Sequence, residues 1–335
     1  MKTWQFDDVY VQSSACSGGP LEGEGPCAKG FDYIARDLHD GEGSFEKAEI
    51  SLLRHACDRA LRKGGFRCND IDVCVGGDLM NQLLTTHYFA RDMHVPLLGA
   101  YAACATSSLV IGLASLFVQQ RLADRALAFV SSHNAAAERQ FRFPNEYGVQ
   151  KKATTTTTVS GAGSMVLGRM PRSIAVKAFT LGRIVDWHHK DASDMGIAMA
   201  PAVYDTLQAH LRQTNTTIDA YDWILSGDLS KAGFAFFCDL LAQEGIDTKG
   251  RFNDCGLMIY DIEKQPVFCG GSGCACSMCV SIAEVFRQLR EGKKRRVLIL
   301  ASGALLSMMA IYQKDSVPCI AHAIEYQRRD DACSF

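Results

Sequence analysis

Apolar residues recur at three- and four-residue spacing from Ser44 to Lys63 and stop at Gly64-Gly65, which predicts an amphipathic helix with a glycine end. The run Ile71-Asp-Val-Cys-Val75 then reads as a buried strand leading into Gly76-Gly77-Asp78. A helix over Asn81 to Met93 follows, then a short strand near Pro96 to Gly99, a helix from Cys104 to about Arg121, and strands at Ala126 to Ser131 and Gly161 to Leu167. Leu109 to Val118, the longest apolar stretch, is about half of the roughly 20 residues that cross a bilayer, so it predicts a buried helix.

The second half repeats this order. Trp223 to Leu225 runs into Ser226-Gly227-Asp228 as Val73 to Val75 runs into Gly76-Gly77-Asp78. A helix from Ala232 to Glu244, the turn Gly270-Gly271-Ser272-Gly273, a helix from Cys274 to Arg290 and a strand from Val297 to Leu300 follow. Cys104 precedes Ser131 by 27 residues and Cys274 precedes Ser302 by 28. Strands alternating with helices in two copies predict an α/β fold of two pseudo-repeated halves, 1–170 and 171–335, packed on each other. Ligands in such sheets collect at the carboxyl ends of strands, so the Cys104 and Cys274 turns are expected to converge on one site.

Composition narrows the function classes. The chain has 335 residues, 47% hydrophobic and 21% charged, enough for a large core. A net charge of −2 argues against nucleic acid as a partner. Met1 to Gln12 shows no apolar signal segment, so an intracellular protein is expected. The 14 cysteines are spread along the chain, which suits reduced thiols. Cys269, Cys274, Cys276 and Cys279 lack a second spaced pair, and are read as small buried residues with no metal.

Gly99-Ala-Tyr-Ala-Ala-Cys-Ala-Thr-Ser-Ser108 places Cys104 at a strand-to-helix elbow, where a helix N-terminus favours thiolate. His133, after the strand end Ser131-Ser132, and His322 are the candidate bases. Asp78 and Asp228 end corresponding strands and are read as caps of the next helices, with calcium ligation as the alternative. Glu138 and Arg139 are read as a local ion pair or dimer-loop contact ahead of a ligand contact. Thr154 to Thr158 lacks the lysine of a phosphate loop and is expected as a partly exposed β segment near a dimer edge, and His188-His189 as a solvated loop.

The Cys104 elbow, Ser131-Ser-His-Asn134, Ala137-Glu-Arg-Gln-Phe-Arg-Phe-Pro-Asn-Glu-Tyr-Gly148, Met195-Gly-Ile-Ala-Met-Ala-Pro201, Ser226-Gly-Asp-Leu-Ser230, Asp254-Cys-Gly256, Gly270 to Ser277 and Ala321-His-Ala323 resemble the thiolase superfamily. The likeness is to its β-ketoacyl synthase III-like condensing enzymes and, more closely, to the stage V sporulation protein AD family. The resemblance implies a thiolase-like five-layered αβαβα fold, usually dimeric, that binds dipicolinic acid. It further implies that the ligand is carried as its calcium complex into the developing spore, beside membrane proteins of the same transport complex and peripheral to the inner spore membrane.

Condensing enzymes of this type pair the Cys with a His and an Asn. Here Ser226-Gly-Asp-Leu-Ser230 stands in the His segment and Gly273-Cys-Ala-Cys-Ser277 in the Asn segment. Losing one oxyanion donor costs about 10²–10³ in rate, so a non-catalytic receptor is expected. An acyltransferase or condensing enzyme that uses Cys104 with a relocated base is the alternative. Dipicolinate is a flat dianion and wants N–H donors and a cation, so the candidate ligand residues are Cys104, Asp78, His133, Arg139, Asp228, Ser272, Cys274 and His322, with Arg142 a further source of charge.

Overall fold

The computed structural model describes residues 1–141 and 151–329. Its first half comprises β1 (Lys2–Gln5), β2 (Tyr10–Gly18), β3 (Tyr33–Ile34), α1 (Phe45–Gly64), β4 (Val73–Gly77), α2 (Leu84–Met93), β5 (Leu97–Gly99), α3 (Thr106–Gln119), β6 (Arg125–Ser132), α4 (Asn134–Phe141), β7 (Thr157–Thr158) and β8 (Gly161–Gly168). The second comprises β9 (Ile174–Leu181), α5 (Met195–Thr214), β10 (Trp223–Ser226), α6 (Ser230–Gln243), β11 (Phe252–Asp254), α7 (Cys255–Ile259), β12 (Gly271–Ser272), α8 (Cys274–Val280), α9 (Phe286–Arg290), β13 (Arg296–Ala304), α10 (Met308–Tyr312) and β14 (Cys319–Arg328). A π-helical turn at Ser281–Val285 joins α8 to α9, so the helix expected from Cys274 to Arg290 runs through.

The strands follow the order β11-β10-β13-β14-β9-β2-β8-β6-β4-β5. Between β9 and β2 the pairing is a single pair, Tyr10 with Ala175, so the array is two five-stranded sheets joined at a seam. In the first, β5, β4 and β6 are parallel and β8 and β2 antiparallel; in the second, β11, β10 and β13 are parallel and β14 and β9 antiparallel. This is the repeat read from the sequence, now with strand directions.

Helix packing supplies the layers. α1 covers one outer face against β2 and β8, with α2 beside it, and α5 covers the other against β14 and β13, with α6 beside it. α3 lies between the sheets, touching β6, β4, β9 and β13, and meets α8 there. The five-layered αβαβα arrangement follows. α3 is apolar on most sides, with Val110, Ile111, Ala114 and Val118 fully buried, because a helix between two sheets has no solvent face. α1, with one solvent face, starts where Ser44 Oγ accepts the Lys47 N–H at 3.3 Å and ends at Gly65, whose φ of 71° only glycine adopts without strain.

Among the described residues, no helix is long and apolar enough to cross a membrane. The Thr154 to Thr158 expectation needs correction. Thr155 to Thr158 are buried, because β7 pairs in parallel with β12 and donates from Thr157 N to Gly270 O at 2.8 Å. His188 lies in an exposed loop, as expected, whereas its neighbour His189 is half-buried with Nε2 out of solvent.

Candidate functional site

β5 ends at Gly99 and α3 begins at Thr106, so Cys104 lies on the intervening turn, two residues ahead of the helix. The turn is tight: Ala103 has φ of 49°, a left-handed conformation that costs a non-glycine residue energy. Thr106 holds it, its Oγ1 accepting the Ala102 N–H at 2.9 Å and donating to Ala103 O at 2.6 Å. Gly303 of β13 packs against the same turn. A Cβ there would lie 2.3 Å from Ala102 O and 3.2 Å from Cys104 N, so the elbow backbone rests on a position with no side chain.

The second half delivers the groups around the sulfur. Cys104 Sγ lies 3.7 Å from Ser272 Oγ. Ser272 donates to Asp228 Oδ2 at 3.0 Å, Ser302 to Asp228 Oδ1 at 2.8 Å, and the Gly273 N–H to Oδ2 at 3.3 Å. Asp228 is fully buried, and burial raises its carboxyl above the ordinary range against the pull of those donors. Burial, then the Asp228 charge, push the Cys104 thiol well above its ordinary value, which outweighs the lowering by Ser272 and the Gly273 N–H. The thiolate expected at this elbow is therefore overturned, because desolvation and a neighbouring carboxylate exceed the pull of the helix start.

The cavity at Cys104 has a volume of about 50 Å³ and is lined by Leu79, Tyr101, Ala103, Ala137, Phe141, Thr158, Met195, Ser272, Ala304 and Leu306. That is room for a water or two. Tyr101, Phe141 and Leu306 also line an outer chamber of about 480 Å³ with Met80 to Leu83, Gln140 and Ser307 to Met309. The chamber is in the size range of small-molecule sites. Among the described residues, none that lines it or the inner cavity carries a charge.

Of the expected site residues, the structure brings Cys104, Ser272 and Asp228 together. Asp78 caps, accepting from Met80 N at 2.7 Å and Thr86 N at 2.8 Å. Asp228 does not cap: Asp254 takes that part, accepting from Leu229 N at 2.8 Å and Ser230 N at 3.0 Å, while Asp228 turns to the serines. Cys274 is turned to Ser131 O at 2.8 Å, and Ser272, two residues earlier, is the group that meets Cys104. His133 is buried against Phe45 with Nε2 2.8 Å from Leu38 O, outside the cavity lining. His322 lies between β13 and β9, its Nδ1 accepting the Gly182 N–H at 3.0 Å, and burial pushes its imidazole down to about 4. Neither histidine reaches the sulfur as a base.

Arg139 of α4 pairs with Glu46 of α1 and lies over Phe45, and Glu138 pairs with Lys151 at 3.4 Å, so the two are held by ion pairs to other segments and not by a local pair. Arg142 falls outside the described residues. Among the described residues no His, Cys, Asp and Glu cluster has the grouping of a metal site, and the Cys269 to Cys279 thiols are free and buried. Missed by sequence reasoning were Ser302, Thr158 of the inner cavity, Tyr101 and Leu306, which line both cavity and chamber, and Glu49. Glu49 falls on the apolar stripe of α1, between Ala48 and Leu52, which is the signal that marks it.

A sequence model of the family described as stage V sporulation protein AD matches residues 1–327. The chain belongs to the stage V sporulation protein AD family. It is 44% identical over 332 residues to stage V sporulation protein AD of Bacillus subtilis (strain 168), covering 99% of this chain and 98% of that relative. This makes it a sporulation protein. Its fold is similar to that of 3-oxoacyl-[acyl-carrier-protein] synthase III from Aquifex aeolicus VF5, with a TM-score of 0.58 at 12% identity over 95% of this chain and 99% of that one. Cerulenin-bound OleA of Xanthomonas campestris gives a TM-score of 0.62 at 14% identity over 97% of this chain and 100% of that one. The fold of this family member is thus the thiolase-like one.

Proposed function

We propose that this family member is a non-catalytic receptor that takes dipicolinate, carried as its calcium complex, in the chamber outside Cys104 and hands it to membrane proteins of a sporulation transport complex. The observation that carries the non-catalytic part is the shell of Cys104. A buried carboxylate and a serine stand where condensing chemistry wants a base and an oxyanion donor, and burial with the carboxylate's charge holds the thiol protonated against the pull of the serine. The ligand itself comes from the family. A chamber whose described lining is uncharged suits the one-to-one calcium complex, whose charges cancel, better than the bare dianion. The aromatic rings of Tyr101 and Phe141 give a flat ring surfaces to stack on.

The receptor is proposed to act as a homodimer in the spore, peripheral to the inner membrane. The free edge of β5, with Leu98 39% and Tyr101 45% exposed, supports a second copy there. Calorimetric titration with dipicolinate in the presence of calcium tests the proposal. Saturable binding that Tyr101→Ala weakens about tenfold is expected from the loss of one stacking surface. No saturable heat, or binding indifferent to Tyr101→Ala and Phe141→Ala, would overturn it.

A further inference from the structure

The chamber outside Cys104 has one wall built against the preferences of its own residues. Gln82 and Leu83, which line it with Met80 and Asn81, have φ of 56° and 54°, so two successive residues with long side chains sit in the left-handed region. That conformation costs each of them energy and persists only where the surroundings impose it. Glycine or asparagine would take the same turn at less cost.

Three neighbours impose it. Asp78, just after β4, accepts the Met80 N–H at 2.7 Å and the Thr86 N–H at 2.8 Å, so one carboxylate ties the start of the turn to α2. Gln140 of α4 accepts the Asn81 N–H at 2.9 Å and donates to Leu79 O at 3.0 Å, so both ends of its amide face the backbone of the turn. Leu83 packs over Gly99 at the end of β5, where a Cβ would come 2.9 Å from Leu83 Cδ1. The turn is therefore fixed before any ligand arrives.

A pair of amides is what the turn presents to the chamber. The side chains of Asn81 and Gln82 are exposed, line the chamber and have no hydrogen-bond partner among the described residues. An amide brings a carbonyl oxygen, a hard donor that suits calcium, and N–H groups that donate to carboxylate oxygens, all without a charge. A calcium chelate of a flat dicarboxylate shows both kinds of partner along one edge, and its calcium still has positions open to further oxygens. Groups held in their bound arrangement beforehand lose little freedom on binding. Taking the receptor role proposed above as given, we infer that Asn81 and Gln82 are a preorganised clamp that reads the polar edge of the chelate, the calcium ion with its flanking carboxylates. Gln140 is the positioning residue that keeps the clamp in place.

Calorimetric titration of the full chain with calcium dipicolinate, paired with thermal melting, tests the clamp. Asn81→Ala and Gln82→Gly should each bind about tenfold more weakly, the loss of one hydrogen bond to a charged group. Gln82→Gly should melt no lower than the wild type, because glycine relieves the left-handed strain. Gln140→Met should weaken binding about tenfold in the wild-type background and add nothing in Asn81→Ala/Gln82→Gly, since it acts through the clamp. An equal loss in both backgrounds would remove Gln140 from that part. No saturable binding by the wild-type chain would overturn the receptor role and the clamp together. Binding that Tyr101→Ala weakens but Asn81→Ala and Gln82→Gly leave intact would overturn the clamp alone, as would a Gln82→Gly chain whose affinity and melting temperature fall together.

Discussion

Around Cys104, three donors fix one carboxylate, and that carboxylate joins burial in setting the thiol. Asp228 accepts from Ser272, Ser302 and Gly273 N–H, and its charge adds to burial in holding the sulfur protonated. Replacing Asp228 with Asn removes the charge but keeps the shape. The thiol should then titrate lower, so that alkylation of Cys104 by iodoacetamide near pH 8 speeds up. An unchanged rate would mean that burial alone sets the thiol. Cys104, Ser272 and Asp228 were legible in the sequence because the two halves repeat at nearly equal spacing, which points corresponding strand ends at one place. Tyr101, Thr158 and Leu306 were not, since a chamber wall is assembled from segments whose distance along the chain carries no signal. The histidines misled for the opposite reason: residues near strand ends look poised for chemistry, and only packing shows His322 inside the sheets.

The elements most readable in advance were those with a solvent face. α1 was readable because its apolar stripe is bounded by a Ser cap and a Gly stop; α5, with Pro201 inside it, and the buried strands β2, β9 and β14 were not, since burial on both sides erases alternation. Glu49 shows what the stripe conceals. It is wholly buried on α1, receives Ser131 Oγ at 2.8 Å on one oxygen, and leaves Oε2 without a partner. Burial, aided by the Asp78 charge, pushes its carboxyl up to about 8. The folded chain therefore holds a proton that the unfolded chain releases near pH 4.3. Glu49 thus favours the folded state at low pH, and this contribution declines as pH rises and is gone above about 8. Thermal unfolding should show the midpoint falling between pH 6 and pH 9, with Glu49→Gln flattening that fall. An equal fall in the variant would contradict the assignment.

Across the whole molecule, two copies of one βαβ-rich unit meet at a single strand pair and enclose α3 and α8. The site forms where the copies face each other: the first gives the elbow and the second gives Asp228, Ser272 and Ser302. Of the two end strands, β11 and β5, β5 carries the exposed Leu98 outward. Sedimentation should therefore report twice the chain mass of 36.6 kDa, and Leu98→Lys, a charge on that edge, should return the single-chain mass. A wild-type chain that sediments singly would remove the proposed dimer.

The central claim is that an enzyme-like elbow here holds a ligand and does not react. Incubation with acetyl-CoA or malonyl-CoA, followed by intact mass, tests it most directly. An unchanged mass in the wild-type chain is predicted; an acyl adduct that disappears in Cys104→Ser would contradict it.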